Sequence, residues 1–216
     1  MARGGFSGTQ RISCALPVAN LTNVTIQSWA WINAAQAANN RVWQMGDGTH
    51  GVGLGFQTAS RILQVVDESI AWRGAGVTMV DGQWLSHGLV RSGGGVWQVY
   101  INGTNTENPT AAPAALSGFL TIGNDISATH SFNGAIGPLS VWSSALSANE
   151  MLALARGVPP MSISPTTLAM HLPMFGALGA GGGENDWSVA QKHGTQTGNP
   201  PVPGNPNVGR PTVAPY

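Results

Sequence analysis

Residues 83–155 constrain this chain more than any other stretch, because their apolar residues recur at every second position between glycine turns. In GQWLSHGLVRSGGGVWQVYINGT, Trp84, Leu89 and Val90 lead into Gly93-Gly94-Gly95. Beyond that turn, Val96, Gln98 and Tyr100 take one side of an extended strand, and Trp97, Val99 and Ile101 take the other. Asn102-Gly103 makes the next turn. Glycine-rich turns between runs of β-branched and aromatic residues predict antiparallel hairpins.

The same reading extends towards the N-terminus. Phe6 to Leu16 is expected as an edge strand, and Val24 to Ile32 as a central one. In the latter, Val24, Ile26, Ser28, Ala30 and Ile32 share one face, while Thr25, Gln27, Trp29 and Trp31 share the other. Two tryptophans on the second face predict that both faces are covered, with Trp29 and Trp31 largely buried. Arg41–Met45, Gly51–Phe56, Arg61–Val66 and Ile70–Arg73 add short strands between Gly, Asn and Asp turns, which is the pattern of a sandwich. One helix is expected near 147–156, where Ser147 and Glu150 have capping-box spacing and Met151, Leu152 and Leu154 supply an apolar face. Gly157 and Pro159-Pro160 stop it.

The order of a Trp-containing strand, YINGT hairpin, LTIGN strand, FNGAIG…VW strand and ALSANEM helix resembles the laminin-G-like branch of the concanavalin A-like lectin/glucanase superfamily. The resemblance covers most of residues 4–157 and implies an all-β, two-sheet antiparallel jelly-roll sandwich. In many such modules a strand and an Asp-x-Ser…Gly-Thr segment stand first. Here similar residues come last, in a strand near 166–173 followed by Asp186-Trp187-Ser188 and Gly194-Thr195. The alternatives are a circularly permuted sandwich over 1–198, with this strand beside the first, or a second module cut short; the few residues left favour permutation. Residues 199–216 hold six prolines and little apolar content, so they are expected as an extended arm. Val202, Val208, Val213 and Tyr216 would anchor that arm on a neighbouring subunit.

Composition narrows the function. Net charge is zero and 8% of the 216 residues are charged, against roughly 25% in ordinary domains. Lys192 is the sole lysine. No basic face exists for a phosphate backbone, which argues against nucleic acid. Such a weakly charged surface is better suited to an assembly than to a free monomer. Cys14 alone cannot form an internal disulfide. The first residues lack a signal-peptide core, and no apolar run is long enough for a bilayer, so synthesis in a cytoplasm, or a leader already lost, is expected, without membrane insertion.

Catalytic patterns are missing. The family's glucanases carry a Glu-x-Asp-x-x-Glu type run, which this chain lacks. Asp67-Glu68 are neighbours on a strand and point opposite ways, and Glu184/Asp186 is the other acid cluster. No nucleophile elbow or clustered histidines appear. The resemblance implies calcium as the one metal to consider, with Asp47, Asn124 and Asp125 as ligands, although Asp and Asn are also what turns require. A glycan site would need an aromatic platform with polar neighbours. Trp43, Trp72, Trp97 and Trp142 are the candidates, beside Arg73, Gln98 and Asn124. Since modules of this kind are common on bacteriophage particles, the resemblance implies a non-catalytic adhesive or capsid-decoration module of a virion. Its partners would be virion proteins, other copies of itself and a cell-surface glycan. A free or secreted extracellular lectin and a divergent glycoside hydrolase are the alternatives.

Overall fold

The computed structural model describes residues 3–4, 6–67, 71–110, 115–174 and 186–197. In chain order the strands are β1 (Arg3–Gly4), β2 (Arg11–Ala15), β3 (Val24–Trp31), β4 (Arg41–Gly46), β5 (Gly51–Gly55), β6 (Ile62–Asp67) and β7 (Ala71–Thr78). They continue as β8 (Trp84–Arg91), β9 (Gln98–Ile101), β10 (Thr104–Glu107), β11 (Phe119–Ile122), β12 (Ala135–Trp142), β13 (Leu168–Leu172) and β14 (Thr195–Thr197). One helix, α1 (Ala148–Ala155), lies between β12 and β13. All strand pairs are antiparallel. The first sheet runs β1-β12-β3-β8-β9-β10 with β13 also on β12, and the second runs β14-β2-β11-β4-β5-β6-β7. This is the two-sheet jelly-roll sandwich with one short helix that the sequence predicts.

Strand parity builds the core. Val24, Ile26 and Ala30 of β3, with Ile32 just after it, face inward and meet Ile12, Cys14, Trp43, Met45, Leu54, Leu120 and Ile122 of the second sheet in one apolar cluster. The turn at Asn102-Gly103 is a two-residue hairpin, since Thr104 pairs with Ile101 and both turn residues have positive φ (51° and 81°). That geometry matches the right-handed twist of the flanking strands and selects Asn-Gly. At the far edge the sandwich is closed by Glu107, whose Oε1 accepts from the Gly76 N–H at 2.9 Å and so links β10 to β7.

Helix α1 covers one half of the first sheet's outer face. Ser147 and Glu150 form the capping box, and Met151, Leu154 and Leu146 pack on Val90, Tyr100 and Trp142. Gly88 admits this approach, because a Cβ there would overlap Met151 Cε. Ser147→Ala is expected to cost about 1 kcal/mol in urea unfolding, the usual worth of an N-cap.

Several expectations shift. Phe6–Leu16 contracts to β2, which lies between β11 and β14 instead of at an edge. The strand expected at 70–73 is β7, Ala71–Thr78, and Ile70 lies outside the described residues. β13 extends the β12 edge and β14 pairs Thr195 with Ser13 of β2, so the late strands join the same two sheets. Trp29 and Trp31 do sit on a central strand, yet they are half-buried instead of buried. Their side chains lie on the outer face, beyond the reach of an eight-residue helix that covers the other half. Residues 199–216, with Val202, Val208, Val213 and Tyr216, lie outside the described residues.

Candidate functional site

The four residues expected to hold a sugar do not form a platform. Trp142 is fully buried beneath α1 and donates from Nε1 to the Ile163 carbonyl at 2.8 Å. Trp97 is fully buried between the sheets, and its Nε1 donates to Asp67 Oδ1 at 3.3 Å. Trp72 and Arg73 are sequence neighbours on β7, so they leave it on opposite sides. The Arg41 guanidinium stacks on the Trp72 ring, 4.6 Å from its centroid. Arg73 Nε donates to Asp67 Oδ2 at 2.7 Å. Arg73, half-buried, and Trp97 therefore meet on one buried carboxylate, with the Arg91 guanidinium over Trp97. The cluster is a structural ion network.

The rim expected to hold calcium is also committed elsewhere. Asp47 accepts from the N–H groups of Thr49 and His50, each at 2.7 Å, from His50 Nδ1 and from the Ser117 hydroxyl. The Ser117 bond first, then the two backbone bonds, hold its carboxyl well below the usual range. Asp125 receives Thr129 N at 2.7 Å, Thr129 Oγ1 at 3.0 Å and His130 Nδ1 at 2.8 Å. Burial alone would raise this carboxyl, but those bonds outweigh burial and hold it low. Asn124 donates to the carbonyls of Gly8 and Gln10 and accepts from His130 N. Oxygens already engaged by N–H and O–H donors do not fit a hard cation that needs six to eight of them. Among the described residues no three His, Cys, Asp or Glu gather as a metal site.

The face the sequence reading assigned to the interior is the one that resembles a platform. On the half of the first sheet that α1 leaves open, Trp31 pairs across with Trp84, and Trp29 follows on the same side of β3 opposite Ser86. All three tryptophans are half-buried. The β12 strand offers no bulk there. Gly137 lies so close that a Cβ on it would meet the Trp29 Cβ at 2.9 Å and Trp84 Cζ3 at 3.4 Å. The Trp84 indole thus reaches from β8 across β3 to β12, lying along the sheet. Its Nε1 makes no hydrogen bond. Beside the tryptophans, Gln27 Nε2 donates to Ser86 Oγ at 3.3 Å, and Ser140 Oγ sits 2.8 Å from His171 Nδ1. The shared parity of Trp29 and Trp31 was the available signal. What parity left open was which face of a central strand remains uncovered.

No curated protein matches the sequence. Solved structures share the fold. A candidate carbohydrate-binding protein of Bacteroides ovatus superposes with a TM-score of 0.71 at 20% identity over 91% of this chain, which spans 58% of that protein. Domain 4 of the extracellular arabinanase AbnA of Geobacillus stearothermophilus, solved with arabinotriose, gives 0.53 at 19% identity, covering 64% of this chain and 68% of the domain. A heptameric SAP-like pentraxin of Limulus polyphemus gives 0.52 at 14% identity, covering 71% of this chain and 80% of that one. A family model described as the concanavalin A-like lectin/glucanases superfamily matches residues 6–151. The chain belongs to the concanavalin A-like lectin/glucanases superfamily.

Proposed function

We propose that this chain is a non-catalytic, carbohydrate-binding adhesive module that holds glycan on the open half of the first sheet's outer face. The observation that carries the reading is the set of three half-buried tryptophans on adjacent strands of that face. Indole faces stack on the apolar side of a sugar ring, and the buried Gln27, Ser86 and Ser140 beside them form the floor of the sheet face. The arabinotriose seen with the arabinanase domain supports the reading by showing that this fold accommodates a glycan. The sparse charge of the chain supports a setting within a larger assembly, and a virion surface remains our proposed setting.

The commitment of two of the candidate acids supports the non-catalytic reading. Cleavage needs two carboxyl groups flanking the glycosidic bond. Asp67 is buried in its ion network, and Asp186 accepts from the N–H groups of His171, Ser188 and Lys192. Glu68 and Glu184 lie outside the described residues.

Affinity electrophoresis through gels containing soluble polysaccharides tests the proposal. Trp84→Ala is expected to weaken retention about tenfold, with Trp84→Phe restoring most of it. Full retention by a folded Trp84→Ala protein would remove the site. Release of reducing ends from any retained polysaccharide would remove the non-catalytic reading.

A further inference from the structure

The tryptophan face has a neighbour in the chain itself. β1 and β13 border the first sheet on one side, and the chain runs directly from β1 into β2, whose edge β14 covers. The opposite sides of the two sheets are joined by Glu107 and Gly76. β14 therefore lies on the β1 side of the sandwich. Its last residue, Thr197, is opposite Arg11 at the start of β2. The connection from there back to β1 is short, and its Phe6 packs on Gly123, just past Ile122, the partner of Ile12. In β1, Gly4 is opposite Ala135, Ala135 is opposite Trp31, and Trp31 is opposite Trp84. Residues 198–216, which lie outside the described residues, thus begin at the end of the sandwich where these tryptophans lie.

The sequence of that segment suits an indole surface. Pro200, Pro203 and Pro206 recur at every third residue. A polyproline helix has three residues per turn, so these prolines would share one edge of it, and such edges dock on aromatic side chains. Between Gly198 and Gly209 there is no Asp, Glu, Lys or Arg, and β3 and β12 have none either, so contact would strand no charge. The length is sufficient. The path from β14 to the outer face is about 10 Å between the sheets and about 14 Å across three strand spacings. About ten residues of polyproline helix, at about 3.1 Å each, cover that distance and the thickness of a sheet. Counted from Thr197, this brings Pro206 to the Trp31–Trp84 pair. Attachment in the same chain raises the effective concentration of the segment, and its prolines lose little freedom on docking.

We propose that residues 200–208 dock in cis on the Trp29, Trp31 and Trp84 face of their own chain, as an intramolecular cover. The inference needs that face to be open and does not need a glycan to bind it; any ligand that uses the face must displace the arm. The test is paramagnetic broadening in the full chain, with a nitroxide on Val208→Cys and indole N–H signals assigned through single Trp→Phe variants. The native chain, treated with the same reagent, controls for the buried Cys14. Compared with the reduced label, the active label should erase most of the Trp29, Trp31 and Trp84 intensity. Trp142, beneath α1 at the far end of β12, should keep its intensity and report that the protein is folded. Adding Pro200→Ser, Pro203→Ser and Pro206→Ser together should restore the three signals. A mixture of isotopically enriched native chain with unenriched labelled chain should show no loss. Full intensity in the labelled chain would overturn the proposal by placing the arm elsewhere. Equal loss in the mixture would overturn it by placing the arm on a second copy. Loss that persists in the triple variant would overturn it by removing the prolines as the contact.

Discussion

Asp67→Ala is expected to destabilise the protein by about 3–5 kcal/mol, the range for removing one partner of a buried ion network. Asp67 is 1% exposed and joins three elements through one carboxylate. Arg73 of the neighbouring strand β7 donates to one oxygen at 2.7 Å, and Trp97, in the loop leading to β9, donates to the other at 3.3 Å. The Arg91 guanidinium, 3% exposed, lies over the Trp97 ring and bonds the carbonyls of Gly94 and Gly95. Burial lowers the Arg91 pKa, and the Asp67 charge opposes that shift. Alanine would leave the Trp97 N–H without its Asp67 acceptor, the half-buried Arg73 without its ion-pair partner, and Arg91 without the anion that offsets its desolvation. Asp67→Asn keeps an acceptor but not the charge, so it should fall between. Urea midpoints at neutral pH measure all three proteins. A loss below about 1 kcal/mol for alanine would show that water already reaches the cluster.

That network also shows where sequence reasoning stops. Local features were legible because their causes are local. Asn102-Gly103 demands a tight hairpin, Ser147 and Glu150 cap a helix, and the alternation in Val24–Ile32 sorts its side chains correctly between two faces. Trp97 and Arg73 could be singled out as polar-aromatic candidates, and they do meet. Whether they meet in solvent or in the interior depends on Asp67 and Arg91 arriving from two other strands, which pattern along the chain does not encode. The open tryptophan face was missed for a related reason. Parity placed Trp29 and Trp31 together, but their exposure is decided by the reach of α1, which ends over Met151 and Leu154. Trp84 joins them only through pairing of β3 with β8.

Acidification is expected to weaken the fold through His87, in the opposite sense to a histidine that gains a partner. His87 is 1% exposed, on β8 opposite Ser28 of β3 and Ile101 of β9, and neither ring nitrogen makes a hydrogen bond. Burial without compensation pushes its pKa down from 6.5 to about 3. Between those values the unfolded chain holds a proton that the folded chain refuses, so stability rises with pH across that window. It is complete above pH 6.5 and falls as pH drops towards 3, below which this group adds no further loss. At pH 4 the deficit should be about 3 kcal/mol, at 1.36 kcal/mol per unit. His171 is shifted down as well, by burial against the opposing charge of Asp186, so the wild-type curve contains both. Comparing the native chain with His87→Leu isolates the first. Leucine fills a similar volume and carries no polar atoms to desolvate, so the variant should match or exceed the native stability at pH 7. The gap should then widen by about 3 kcal/mol by pH 4 in urea unfolding. Parallel stability curves for the two proteins would mean that His87 finds solvent or a partner in the folded state, and that the apolar interior between β3, β8 and β9 is not closed.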